Sequence, residues 1–472
     1  MPTLAELMRA LPEEAQVAGP GDLPQPLAAA SLRPIPVGRL RRMGLMGTLQ
    51  ARIATAYLFY WVRGWFASAD ERERLLAETH WRTAARLLDS MSYLRGAVIK
   101  LGQTLANYPD IVPTEFVETL DRLHYSAPSM HWSLIREMVH NELGDDPENL
   151  FAAFEKRAFA AASIGQVHSA RLRSGEQVAV KIQYPGIART IGEDLRNLNL
   201  FLLTGRLNKD WQHLKSQMDD LSLRLEAETD YETEAATLMK ARPLFGEADG
   251  ITVPLVYPQL STGRVLTMER LEGVHLDKFL ESNPSQELRN EFARKILRAW
   301  YRLYAAGRLF YADFHPGNFL FRRDGTLGLI DFGFMLPLDG ELWTEFRKMD
   351  RLFMSGRRED VVAAVKEWSW ITDSPADADL LRLSTEYGEW IWGAHHCAGE
   401  FDFGNQADFR RGVEIFTQMV RKRCTRSRSC APIMCRQQFG CRSILYRLKA
   451  RIDVRAICQE ELSSPSVGRA SL

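Results

Sequence analysis

The sequence predicts an α+β chain of two lobes with an N-terminal helical extension. Three observations lead there. The hydrophobic period turns from helical to strand-like near residue 151 and back to helical from residue 187. Two segments, "FAAFEKRAFAAASIGQVHSARLRSGEQVAVKIQYPGI" and "GNFLFRRDGTLGLIDFG", read as antiparallel pairings, one turning at Ser174-Gly175 and the other at Asp324-Gly325. Between them, "SQELRNEFARKILRAWYRLYAAG" is an amphipathic helix.

Bulk properties bound the function. At 472 residues the chain has room for two or three domains. Lys and Arg number 60, as do Asp and Glu, so the net charge is zero and no global field argues for a nucleic-acid partner. Cys397 stands alone before Cys424, Cys430, Cys435, Cys441 and Cys458, and no C-x-x-C pair occurs among them. That pattern suits neither a disulfide framework nor zinc, and fits a reducing compartment. No apolar run reaches the ~18 residues of a membrane helix. The best candidate, "IATAYLFYWVRGWFA", is cut by Arg63 and preceded by Arg52. With Glu6, Glu13 and Glu14 near the start and no leading apolar stretch, no secretory signal or transit peptide is expected. The expected location is cytoplasmic.

In chain order, residues 1–40 are rich in Pro and Ala without period and read as a mobile leader. Residues 41–150 read as a helical extension punctuated by Pro109, Pro113 and Pro128. Residues 151–271 read as a sheet lobe with a helical insertion over 187–242, ending in the strand of "GRVLTMERLEG". Residues 272–420 read as the second lobe, with its amphipathic helix closed by Gly307 and further helices over 341–420. From Arg421 the pattern turns basic and irregular, so 421–472 is expected as a basic, cysteine-bearing tail. No internal repeat is evident.

The chemistry gathers at the second hairpin. Asn318 precedes its first strand and Asp331 follows its second, so antiparallel pairing returns both to one end, and Asp313 joins them from the preceding loop. Each alone is an ordinary turn former. Together they match the D-x-x-x-x-N then D-F-G order of protein-kinase-like catalytic loops. A hard cation takes a few oxygen ligands from protein and the rest from phosphates, so Asn318 and Asp331 suit a magnesium–nucleotide while Asp313 faces a nucleophile. A phosphate-binding cation is then needed, and "QVAVKIQ" supplies Lys181 inside an apolar strand, where it requires a partner. Glu234, on the helix of "EAETDYETEAATLMKAR", is the expected partner. "AAASIGQVH" stands where a glycine loop would cover the phosphates; its alanines allow close approach and resist positive φ, which predicts a stiffer loop. Glu269 to Leu271 is the expected hinge, binding adenine through its backbone. His315, between Phe314 and Pro316, reads as ordering its loop.

With these pieces in place the chain resembles the UbiB/AarF family of atypical kinases, the coenzyme Q biosynthesis kinase-like family, from about residue 90 to about residue 340. The resemblance is carried by "KLGQ", "AAASIGQVH" with "VAVK", "ETDYETEA", "DFHPGN" and "LIDFG". It implies a bilobal protein-kinase-like fold and ATP or ADP bound with Mg²⁺. It implies nucleotide contacts from Ala161, Ala162, Ser163, Gly165 and Gln166. It further implies a regulatory set of Lys100, Gly102 and Gln103 with Glu228 and Asp230, the first three folding over the active site. ATPase or lipid-linked chemistry is implied rather than protein phosphorylation. Gly165 departs from the family pattern, where alanine is frequent, and is expected to loosen the loop. The C-terminal membrane segments of some members are absent.

Three other functions compete with this reading. "DFGFMLPLDGELWTEFRKMDRLF" enters a helix soon after D-F-G with no A-P-E following, which argues against a peptide substrate. A small-molecule phosphotransferase of the aminoglycoside/choline kinase type shares "DFHPGNFLF" and "IDFG" but lacks "KLGQ" and "AAASIGQVH". A nucleotide-sensing scaffold is the non-enzymatic alternative. The expected partners are a nucleotide and a lipid or quinone precursor. Residues 44–67, aromatic and flanked by arginines, are expected to lie on a membrane surface. The sequence does not specify an oligomeric state.

Overall fold

The computed structural model describes residues 130, 132–162, 164–188, 222, 226–368, 371, 374–422 and 431–463. The first lobe is built from helix α1 (Trp132–Leu143) and the strands β1 (Ala153–Phe154), β2 (Ala160–Ala162), β3 (Gly165–Arg171) and β4 (Gln177–Gln183). Helix α2 (Tyr231–Ala241) follows, then β5 (Ile251–Thr252) and β6 (Val265–Glu269). The sheet order is β1-β3-β4-β6, with β2 also pairing β3, and all these pairings are antiparallel. The β3–β4 turn falls where expected, with Gly175 at a φ of 107° that favours glycine.

Strand period explains how β4 is used. Val178, Val180 and Ile182 point to one face, where they pack against Ile135, Met138 and Val139 of α1. Ala179 points to the other, into the main core with Tyr231, Ala235 and Leu238 of α2. The boundary expected at residue 150 is therefore corrected. Helix α1 belongs with the sheet, because its apolar stripe covers the β4 face that α2 does not. Gly165 is also corrected: a Cβ there would stand 2.1 Å from the Ile182 carbonyl oxygen, so glycine permits close strand approach rather than loosening the hairpin.

The second lobe opens with α3 (Leu276–Glu281) and α4 (Gln286–Ala305), the latter capped by Ser285, whose hydroxyl accepts from the Leu288 amide. Phe292, Ala293, Ile296 and Leu297 of α4 are buried. Gly307 does not supply the left-handed closure expected of it; Arg308 carries the positive φ of 48°. Gly307 is needed for space, since a Cβ would stand 2.6 Å from the Leu303 carbonyl oxygen. Strands β7 (Leu309–Tyr311), β8 (Phe319–Phe321), β9 (Leu327–Leu329) and β10 (Met335–Pro337) follow, with β10 on β7, β8 on β9, and β5 of the first lobe parallel to β9. The β8–β9 turn places Gly325 at φ 81° and Asp324 Oδ1 on the Thr326 amide.

Helices α5 (Gly340–Met354), α6 (Arg358–Trp368) and α7 (Ala378–His396), strand β11 (Phe401–Asp402), α8 (Gln406–Arg421), α9 (Ala431–Leu448), β12 (Arg451–Ile452) and α10 (Val454–Ser463) complete the described chain. The last of these correct the expected tail. Cys441, Ile444, Leu445, Leu448, Ile457 and Cys458 lie in the same core as α4. Basic residues masked this apolar pattern, and they are partnered. Arg442 donates to Asp408 at 2.6 Å beneath the rings of Trp390, Phe401 and Phe403, and Arg447 donates to Asp277. Cys397, Cys435, Cys441 and Cys458 are free thiols, and burial pushes the last three up to about 12. Among the described residues, no helix is long and apolar enough to cross a membrane.

Candidate functional site

The face of the sheet that packs toward α2 carries Lys181, opposite Val167 on β3 and Leu266 on β6. Its ammonium, 8% exposed with the whole residue, donates to both Glu234 oxygens at 2.9 Å. Glu234 projects from the first turn of α2, where Asp230 caps the helix by accepting from the Glu232 and Thr233 amides. Lys181 also reaches Asp331 Oδ2 at 3.4 Å, which joins the two lobes through one cation. Burial works to strip the Lys181 proton. The Asp331 and Glu234 carboxylates outweigh it and hold the amine charged, well above the usual lysine range. Burial raises the Glu234 carboxyl while Lys181 opposes it.

The second-lobe residues are fixed by their own backbone. Asp331 Oδ1 accepts from the Gly333 amide at 2.9 Å, and the Tyr311 hydroxyl donates to the Asp331 carbonyl at 2.8 Å. The Phe332 amide reaches Glu234 Oε1 at 3.4 Å. Asn318 Nδ2 donates to the Asp313 carbonyl at 2.8 Å, which ties together the two ends of D-x-x-x-x-N. His315 Nδ1 accepts from the Gly317 amide at 3.1 Å, in keeping with a loop-ordering residue.

The donor chemistry fits a magnesium–nucleotide. With its nitrogen donating to Asp313, the Asn318 amide has an oxygen that makes no hydrogen bond among the described residues and suits a hard cation. The Asp331 side chain is 37% exposed and keeps Oδ2 3.4 Å from the Lys181 ammonium, so a carboxylate and an ammonium stand side by side. A Cβ at Gly333 would come within 3.2 Å of Asp331 Oδ1, so glycine lets the backbone close around this carboxylate.

Other expected residues fall differently. Ala161 pairs with Gln166 and Ala162 with Gly165, so the alanine-rich stretch is a strand of a hairpin. Gln166 is corrected as a side-chain ligand. It stands opposite Ile182, on the face away from Lys181, where it accepts from the Met130 amide at 2.9 Å and bonds His168 at 2.7 Å. The Glu269 carboxylate is committed to Arg242 and the Leu255 amide, each at 3.1 Å, and the Glu269 amide donates to the Leu255 carbonyl. The Leu271 amide makes no backbone hydrogen bond among the described residues. Lys100, Gly102, Gln103, Ser163 and the 44–67 segment lie outside the described residues. Glu228 is helical and is separated from α2 by the turn at Thr229 and the cap Asp230.

Sequence reasoning missed Tyr231. Lys181 Nζ lies 5.1 Å from its ring centroid, and its buried hydroxyl has no hydrogen-bond partner among the described residues. Burial, with Glu234, Asp331 and Glu228 nearby, raises that hydroxyl far above the usual range. Its position inside "ETDYETEA", three residues before Glu234, was the available signal.

Comparison with known proteins identifies the domain. The model of the ABC1 atypical kinase-like domain matches residues 122–365. Among similar proteins, atypical kinase COQ8, mitochondrial, of Saccharomyces cerevisiae is 34% identical over 266 residues, 56% of this chain and 53% of that one. Atypical kinase COQ8B, mitochondrial, of Danio rerio is 31% identical over 384 residues, 81% of this chain and 60% of that one. The chain thus spans between about half and three fifths of the length of these relatives. A solved structure, the complex of Rv3197 with erythromycin from Mycobacterium tuberculosis, is similar with a TM-score of 0.54 and 26% identity, covering 84% of this chain and all of that one. With an α+β, bilobal, kinase-like architecture and a domain match over more than half its length, the chain belongs to the ABC1 atypical kinase-like family.

Proposed function

We propose that this chain binds ATP or ADP with Mg²⁺ at the Lys181–Glu234–Asp331 constellation and acts as an atypical kinase or ATPase. The observation that carries the reading is one ammonium held between two carboxylates from separate elements, α2 and the segment after β9. Glu234 holds Lys181 extended and charged, so its ammonium suits the α/β-phosphates. Asp331 and Asn318 would hold the metal through carboxylate and amide oxygens, and a bound magnesium ion neutralises phosphate charge. Asp313, whose carbonyl is tied to Asn318, orients the attacking hydroxyl or water. The backbone from Glu269 to Leu271 would read the base. Asp230 reads best as a helix cap that positions Glu234. Lys100, Gly102, Gln103 and Glu228 remain the proposed regulatory set.

Helix α5 begins at Gly340, only a short stretch after Asp331, which favours a small or lipid-linked phosphate acceptor over a peptide. A role in isoprenoid-quinone or other lipid metabolism follows from the family, with the phosphate acceptor, if any, presented at a membrane surface. The test is phosphate release by the purified chain and by Asp313→Asn, with and without anionic vesicles and phenolic quinone precursors. Asp313→Asn is expected to keep nucleotide affinity and lose turnover, because positioning a nucleophile matters only along the reaction. Turnover at the wild-type rate in that variant makes Asp313 structural, and wild-type nucleotide binding without turnover under every condition favours a sensing scaffold.

A further inference from the structure

The sheet face that carries Lys181 ends in a contact that the constellation above does not use. Ala179 stands opposite Met268 and Lys181 opposite Leu266, and the Arg270 amide donates to the Gln177 carbonyl, which continues the same register. Side chains two residues apart share a face. Arg270, the residue after β6, therefore projects on the Lys181 side. From there its guanidinium crosses β4. Nη1 donates to the Ser169 hydroxyl of β3 at 2.6 Å, and the Cζ atom stands 4.8 Å from the ring centroid of Phe159. Ser169 is 2% exposed while Phe159 is 48% exposed.

Phe159 immediately precedes β2, the outer strand of the alanine-rich hairpin, and its amide donates to the Val167 carbonyl. The hairpin is short, so its position over the face depends on what holds its open end. A cation anchored to a buried hydroxyl and laid over this ring supplies that hold.

We infer that Arg270 is a positioning residue that clasps Phe159, and with it the β2–β3 hairpin, to the hinge strand β6, and that the clasp governs how fast a bound nucleotide leaves. The inference rests on the nucleotide reading above. It makes the hinge more than a backbone contact for the base: the same segment restrains the cover on the other side of the ligand. Phe159→Leu keeps apolar bulk and removes the ring face, whereas Arg270→Ala removes the cation.

The experiment is stopped-flow release of N-methylanthraniloyl-ADP in Mg²⁺ from the full chain, from Arg270→Ala, Phe159→Leu and the double variant, and from Arg270→Lys, with melting temperatures for each. An exposed cation–π contact predicts release about two- to fivefold faster in each single variant. The double variant should be no faster than the faster single, because both remove one contact. Arg270→Lys should return release part of the way to the wild-type rate, since it keeps charge over the ring and loses the planar fork. Single variants that release at the wild-type rate, whether or not they melt early, overturn the inference, as do two effects that multiply in the double variant. A wild-type chain that binds no nucleotide defeats the nucleotide reading itself, and the inference with it.

Discussion

Glu234 and Asp350 are both carboxylates withdrawn from water, 2% and 8% exposed, and the molecule treats them in opposite ways. Glu234 meets an ammonium through both oxygens at 2.9 Å. Asp350, on α5, accepts from the Tyr304 hydroxyl, and the Arg347 guanidinium stands 3.7 Å away. Burial pushes the Asp350 carboxyl up to about 6, against the Tyr304 hydrogen bond and Arg347. The first site keeps both charges by pairing them; the second tends toward the neutral acid. A charged pair held at depth is weak evidence for stability and is what a phosphate-binding site requires. An acid held by a phenol, with its nearest guanidinium 3.7 Å away, is packing chemistry.

The sharpest way to break that contrast is to remove one partner at the first site. Lys181→Met leaves the Glu234 carboxylate buried and unpaired, with an expected loss of about 3 to 5 kcal/mol. Lys181→Met with Glu234→Leu should recover most of it, because no charge is then stranded. Urea unfolding of both variants at neutral pH checks this, and a Lys181→Met midpoint equal to the wild type would contradict the pairing account.

The second site gives a smaller effect with a pH signature. A carboxyl whose folded value lies near 6, above its unfolded value near 3.9, contributes stability that is full below pH 4 and lost as pH rises through about 6. A side-chain amide in place of this carboxyl has no such proton to lose, so Asp350→Asn should gain on the wild type by roughly 2 to 3 kcal/mol between pH 4 and pH 7.5. Melting curves across that range provide the measurement. A difference that does not change with pH would contradict the raised Asp350 carboxyl.

A still smaller change tests the strand that carries Lys181. Gly165→Ala would place a Cβ 2.1 Å from the Ile182 carbonyl, and the hairpin must shift at an expected loss of about 1 to 3 kcal/mol. Wild-type thermal stability in this variant would show that the hairpin moves freely, as expected from a glycine standing where the family often has alanine.

What was legible in the sequence was local. Turn chemistry at Asp324-Gly325 and Ser174-Gly175 fixed both hairpins; the ends of the second meet where the Ile330 amide donates to the Asn318 carbonyl, and Asn318 in turn reaches the Asp313 carbonyl. Lys181 could be matched to Glu234 because an apolar strand leaves a lysine only expensive alternatives. Register was not legible. Nothing in "AAASIGQVH" by itself tells which face Gln166 takes, and a shift of one residue exchanges the faces. The chain beyond Arg421 misled for another reason: Arg442 is buried under aromatic rings against Asp408, so a basic residue occupies what pattern reading assigns to solvent. Tyr231 was not legible because, within "ETDYETEA", only the acids have a chemistry that a lysine partner specifies. Lys100 could be singled out only by resemblance.

Asp331 is the proposed carboxylate on which a metal–nucleotide depends, and calorimetry of ADP and ATP binding with and without Mg²⁺ separates that role from a structural one. The wild type should bind in a Mg²⁺-dependent manner. Asp331→Asn, folded by its melting curve, should lose that dependence and weaken binding by about a hundredfold or more, a loss of ~2.7 kcal/mol. Unchanged Mg²⁺-dependent affinity in the folded Asp331→Asn protein would contradict the account.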